Sequence, residues 1–578
     1  MADQYLREGE TFAGIEQLEA ARSIGAPKGS EKDLAKELAM RYATIGEPEI
    51  GVEALTPYKA DRDCALQLSQ LYLTLGLFRE SAEALKPLRD HFSSLRVDAQ
   101  QALVRTYLLA GEAEVAEKLM PPDTGSSPEW QSLAGIDALI ARKPTQAVPV
   151  LKQSVALNPQ DGWTSYLYGK ALLQSGNSQS AIAAFREAVQ SRDAPAQALT
   201  RMAILAANSD SLAEADALLD RVQGEDRKLP DFWRAAAVIA HKRGHGTVEQ
   251  VSLGYAAYNE GDPWLAESIW LKAVPAARDD IARDIYVALV NGAIRRSDTD
   301  TALKYATVAA IRWPKDPETI RQYSETLLAQ NQLKPALAAA QSFQALAPAD
   351  MQAQAAELLS RIALDSNDAS LLSKSVEKNR AESPADPMPL LHQAEWQGAQ
   401  GRDPANLERT LALYNQALAI APKNAEAAAH GALLLADLKR NDEAIPALLH
   451  ALTLNPRVMD GSVNVMLVQL YQRTGAQQES RFEEAWYRRV RQLKDSWPTL
   501  LKSLRQAPSA STASEWKALG ELALRRHESW IALCAFHQWT LQRPTDAAAW
   551  QDLAAAQKRF GRFDDALDSM RKAAVLRR

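Results

Sequence analysis

Along most of the chain, apolar residues fall at the spacing of a helix face, and no stretch alternates in the manner of a half-buried strand. Segments such as "LYLTLGLFRESAEAL" around Gly76, "TYLLAGEAEVAEKL" around Gly111 and "AYNEGDPWLAESIW" around Gly261 carry two such faces separated by a glycine. A glycine just past the last periodic residue is a helix stop, and the second face begins at once behind it. The pattern therefore predicts helices of roughly 12–16 residues, joined in antiparallel pairs by tight turns, with no sheet.

The pairs recur. In "SEWKALGELALRRHESWIALCAFHQWTLQRP", Ser514 to Pro544, Trp516 returns 34 residues later as Trp550, Leu519 as Leu553 and Ala532 as Ala566. Trp516, Leu519, Gly520, Ala532, Phe536 and Pro544 form the series W-x2-L-G, A-x3-F, P. Packing explains it. Small residues at Gly520 and Ala532 let two helices cross closely, Trp516 and Phe536 fill the flanks, and Pro544 stops the second helix. Trp530 and Trp539 are packing groups on that second helix, and Cys534 is a buried structural cysteine. The frame extends upstream: Gly135 and Gly169, Ala147 and Ala181, Pro314 and Pro348, and Pro422 and Pro456 all keep the 34-residue spacing. On these residues the chain resembles the tetratricopeptide-repeat superfamily over nearly its whole length. The resemblance implies an all-α, right-handed superhelical solenoid of roughly fourteen or fifteen helix pairs.

Three places break the frame. Residues 230–246 ("PDFWRAAAVIAHKRGHG") read as one helix without a partner, a kink or seam in the stack. Residues 477–512 read as a long basic helix, a short helix and a polar linker, and a weaker irregularity covers 365–388. The expected organisation is an array over 1–229 that starts inside a repeat, the seam at 230–246, a central array over 247–476, the segment 477–512, and a terminal pair over 513–578. Neither end carries a polar cap, so an excised region of a longer protein is expected, with a partner covering each end as the alternative.

Composition narrows the classes. Aliphatic and aromatic residues make up 46% of the 578 residues and charged ones 24%, with a net charge of −6. Nothing in that balance suits a nucleic-acid binder. No run of 18 apolar residues exists to span a membrane. The stretch MADQYLREGE has neither a basic n-region nor an apolar h-region, so no signal peptide is expected there. Cys64 and Cys534 form no motif.

Catalytic material is thin. His241 and His245 share a helix face, but Gly244 lies at the helix end, Lys242 and Arg243 repel a cation, and no carboxylate in the local sequence completes a site. His527 and His537 are too far apart to act locally. P-loop, GxSxG, HExxH and dinucleotide motifs are missing, and Glu483, Glu484, Asp564 and Asp565 read as solvated helix faces. No enzyme, metal or cofactor is expected.

Binding is the better reading. The resemblance implies that the first helices of successive pairs line a concave face. Counting from their small residues places Trp163, Tyr166, Lys170, Arg201 and Asn208 there, then Tyr255, Tyr258, Asn259, Asn291, Arg295 and Arg321. These could form a groove for another protein or a peptide segment. A second surface is the basic row Arg481, Arg488, Arg489, Arg491 and Lys494, interleaved with Trp486, Tyr487 and Trp497. That mixture would suit an acidic partner or an anionic polysaccharide. The main expectation is a non-enzymatic scaffold. The length and the Ala/Leu/Gln-rich degeneracy also resemble the periplasmic repeat regions of bacterial exopolysaccharide-export proteins. A regulatory or substrate-docking arm of a larger enzyme, such as a glycosyltransferase, is the alternative.

Overall fold

The structure, a computed structural model, describes residues 2–25, 29–122 and 127–577. Among the described residues there are 34 α-helices, a few short 3-10 turns and no strand. First helices of pairs start where the sequence places a short polar side chain. Asp161 accepts from the Thr164 backbone, Asp316 from Thr319 and Asn424 from Ala427, at 2.9 to 3.0 Å. Each such cap satisfies an amide that the helix itself cannot.

Within a pair the chain reverses through one left-handed residue. Arg142, Gly176, Asp210 and Gly244 are successive examples, 34 residues apart. The crossing of the two helices then follows one rule: a glycine on the first faces a large side chain 16 residues on. A Cβ at Gly135 would lie 2.3 Å from Leu151, one at Gly169 2.6 Å from Phe185, and one at Gly520 2.4 Å from Phe536. Only hydrogen fits at these contacts. Trp516 is fully buried, as expected. Trp550 is half-buried: its indole N–H donates to the Pro544 carbonyl at 2.8 Å, and the Lys572 ammonium of the paired helix lies 4.1 Å from its ring centre.

The helix expected to stand alone has a partner. Pro230–Lys242 forms a hairpin with Gly246–Glu260 through Gly244 (φ 73). The irregularity comes one turn later. Gly261 (φ 96) closes a second hairpin after only 17 residues, so Gly246–Glu260 packs on both Pro230–Lys242 and Pro263–Ala273. The basic segment also differs from expectation. Gln477–Arg505 is one helix of 29 residues that runs through Pro498, and only a three-residue 3-10 turn, Pro508–Ala510, follows it before Ala513.

The compact units are not consecutive blocks. One comprises Met1–Leu55 with Tyr286–Leu501, the other Thr56–Ile285 with Lys502–Arg578. The linear division expected from the repeats misses this, because the pairing joins residues more than 400 positions apart. In the first unit Phe12, Ile15 and Tyr42 share a core with Leu448, Leu467 and Trp486. In the second, Ala555 and Leu567 pack into the core of Leu103, Tyr107 and Leu133.

Candidate functional site

In the Thr56–Ile285 and Lys502–Arg578 unit, the expected groove residues face the chain's own last repeats. Tyr166 is 1% exposed and donates to Asp564 Oδ2 at 2.7 Å, and the Lys170 ammonium pairs with Asp564 and Asp568. Burial, reinforced by the Asp564 charge, holds the Tyr166 phenol well above its usual range. The Asn259 carbonyl accepts from Arg562 at 2.8 Å, and the ring of Tyr258 lies 5.3 Å from that of Trp530. Tyr255 stacks on Trp233 at 4.4 Å. The expectation of a groove open to a partner is therefore corrected at Tyr166, Lys170, Tyr258 and Asn259. The face exists, and helices of Ala513–Arg577 occupy it. Asp564, read from sequence as solvated, is 8% exposed because it receives two donors, and Asp565 is held by Arg562. Arg201 is half-buried and Asn208 exposed.

Trp163 reaches a part of this face that remains accessible. It lines a cavity of about 500 Å³ bounded by Val97–Leu109, Pro128–Ile140, Gly162–Gln174, Ala547–Arg559 and Phe563–Arg577. Its lining is mostly apolar, with Leu, Ile, Met and Phe joined by Pro128, Trp163 and Ala566, and Arg105, Glu129, Asp161 and Lys558 are among the polar side chains.

The other expected groove residues belong to the Met1–Leu55 and Tyr286–Leu501 unit, so the proposed single row is not one site within either unit. Asn291 accepts from the Gln322 amide at 3.0 Å, and Arg295 is exposed. Arg321 is held by Glu318 and Glu325 at 2.6 and 2.7 Å, which raises its pKa further, the Glu318 hydrogen bond foremost.

The basic row is a row of pairs. Arg488 meets Glu484 at 3.3 Å, Arg489 grips Glu53 with two bonds of 3.1 and 2.7 Å, Arg491 meets Asp495 and Lys494 meets Asp460. Arg481 is exposed. Arg481 and Arg489 share a pocket of about 400 Å³ with Arg22, over a floor that includes Tyr42, Phe482 and Trp486. Tyr42 and Trp486 lie parallel at 6.1 Å, and the Tyr42 hydroxyl donates to Glu19 at 2.8 Å.

The same unit holds a cluster the sequence did not suggest. Glu483, read as solvated, is fully buried and accepts from the Asn464 amide at 2.5 Å. Glu16, also buried, accepts from the Tyr471 hydroxyl at 2.8 Å and lies within hydrogen-bonding reach of Glu483. Burial pushes the Glu16 carboxyl up to about 7, and burial with the Glu16 charge pushes Glu483 well above the carboxylate range.

Metal-type chemistry finds little to work with. His241 Nδ1 lies 3.0 Å from Glu249, a carboxylate missed in the local reading, on an exposed surface. Among the described residues no group of three His, Cys, Asp or Glu side chains could hold a metal ion. Cys64 and Cys534 are both buried.

Comparison with known families fits the crossing geometry. Tetratricopeptide-repeat models match residues 138–193 and 426–458. Over those two stretches the chain carries tetratricopeptide repeats. The first match contains the Gly169–Phe185 crossing, and the second covers the pair Ala425–Asp437 and Asn441–Leu454. No curated protein matches the chain. Among solved structures, a chain of the APC/C hetero-tetramer Cut9–Hcn1 crystal structure is 13% identical, with 93% of this chain and 98% of that one covered, at a TM-score of 0.29. No described helix is long and apolar enough to cross a membrane.

Proposed function

We propose that this tetratricopeptide-repeat chain is a non-enzymatic scaffold that recognises an acidic segment of a partner protein. One observation carries the reading: the pocket that gathers Arg22, Arg481 and Arg489 above Tyr42, Phe482 and Trp486. Arg, Trp and Tyr are the side chains that most often anchor protein interfaces. The aromatic floor is rigid, since Tyr42 and Trp486 are 2% and 4% exposed. Guanidinium groups at the rim bind carboxylates with paired, directional hydrogen bonds. Glu19 and Glu53 already lie at this rim, and a partner carboxylate would meet the same donors there.

The test is affinity capture with the full chain, followed by titration of the recovered partner against Arg481→Glu and a control in the other unit, Arg186→Ala. Arg481 is exposed, so its replacement leaves the fold intact. A loss of about tenfold or more for Arg481→Glu alone, weakening with salt, supports the pocket. Equal affinity of both variants removes it, and a catalytic turnover assigned to the purified chain removes the scaffold reading.

A further inference from the structure

The cavity at Trp163 has a chemistry that scaffolding does not use. Leu108, Leu133, Ile136, Ile140, Leu567 and Met570 form its apolar lining. A volume of about 500 Å³ falls within the range of pockets that take small organic ligands, and so does the mix of a mostly apolar wall with a few polar groups.

The polar groups are unequal. Asp161 is engaged as a helix cap: its two oxygens accept from the Thr164 backbone at 3.0 Å and from the Thr164 hydroxyl at 2.6 Å. Glu129 accepts from the Ser127 hydroxyl at 3.0 Å. The two cations have no such partner: among the described residues neither Arg105 nor Lys558 is paired with a carboxylate. Lys558 is half-buried, with its ammonium 4.6 Å from the centre of the Phe78 ring. Burial first, and then the like charge of Arg105, lowers its pKa. An anion placed between the two cations would relieve that repulsion.

We propose that this cavity binds an amphipathic organic anion, with its apolar body against Leu133, Ile136 and Met570 and its carboxylate or phosphate head at Arg105 and Lys558. Recognition needs both parts. The apolar wall supplies affinity through burial, and the cation pair selects a charged head over a neutral one. The site lies wholly within the Thr56–Ile285 and Lys502–Arg578 unit, and it takes its wall from both segments of that unit.

Calorimetric titration of the full chain with decanoate, decanol and decyl phosphate, each below its aggregation limit, tests this. Decanoate or decyl phosphate should bind one-to-one and at least tenfold tighter than decanol, and the stronger of the two identifies the head group. Arg105→Ala/Lys558→Ala should bring the anion and the alcohol to within about twofold of each other while leaving the melting temperature close to that of the parent. Ile136→Trp, which fills the space, should abolish binding of all three. Equal affinity for decanoate, decyl phosphate and decanol in the parent chain overturns the proposal. So does an unchanged preference in the double variant, which keeps the cavity wall intact and therefore decides the matter even if Ile136→Trp fails to fold. Binding at many equivalent sites counts against it, since that is detergent adsorption and not a pocket.

Discussion

Replacing Glu16 by Gln should make the Met1–Leu55 and Tyr286–Leu501 unit more stable at alkaline pH and flatten its pH dependence. Glu16 is 1% exposed, faces Glu483, and is held up to about 7 against an ordinary 4.5. An acid whose folded pKa is raised is penalised once the unfolded chain would give up its proton. The Glu16 contribution is therefore greatest below about 4.5, falls as pH rises through the window from 4.5 to 7, and is lower and level above it, while Glu483, raised further by burial, adds a fall of its own. At about 1.4 kcal/mol per tenfold change in proton affinity, the full penalty is roughly 3 kcal/mol. About 2 kcal/mol of it falls between pH 5.5 and 7.5, a twentyfold change in an opening equilibrium. Glutamine keeps an acceptor for the Tyr471 hydroxyl and offers Glu483 a donor, so the variant loses the Glu16 titration and keeps the contacts, while Glu483 still titrates. The assay is hydrogen exchange over Thr11–Ile24 at the two pH values, corrected for chemical exchange rates. On going from pH 5.5 to 7.5 the wild type should lose about twentyfold more protection than Glu16→Gln, in which only the burial penalty on Glu483 remains. Identical losses in the two proteins would refute a shared-proton carboxyl pair at this position.

Three further outcomes follow from the packing. Gly169→Ala should cost about 1–3 kcal/mol in denaturant titrations, because its Cβ meets Phe185, whereas Gly246→Ala, with open space around it, should cost almost nothing. Trp516→Ala should cost about 3–5 kcal/mol, and the half-buried Trp550→Ala less than about 2, read from thermal melts of the two variants. Asp564→Ala leaves the Tyr166 hydroxyl and the Lys170 ammonium short of their acceptor. It should weaken docking of Phe563–Arg577 by about 2–4 kcal/mol, visible as faster exchange in that helix alone.

What the sequence reveals depends on the range of the contact. The helices and the Gly520–Phe536 crossing are set by residues 16 apart, and a repeating period announces them. Partners such as Tyr166 and Asp564, or Tyr471 and Glu16, lie some 400 positions apart and belong to no period. The residue types also mislead. Glu483 and Asp564 have the spacing of exposed helix faces and are buried because another repeat covers them. Tyr166, Lys170 and Asn259, expected to face a partner, do make long-range contacts, but nothing in the sequence says that Asp564, Asp568 and Arg562 of the same chain make them. The left-handed turn at Gly244 was legible as a helix end, but its second role in starting a hairpin was not, because Gly261 resets the count after half a period.

The occupied face in the Thr56–Ile285 and Lys502–Arg578 unit also bears on how affinities for it should be interpreted. A molecule that binds Tyr166 and Lys170 in trans competes with Asp564, which is supplied by the same chain and is therefore present at a fixed ratio whatever the protein concentration. Apparent affinity scales with the fraction of molecules in which the face is vacant, so a vacancy of about one in a hundred weakens an intrinsic constant about a hundredfold. A fragment ending before Ala513 would carry no such tax, and tight binding by it would overstate what the whole chain can do.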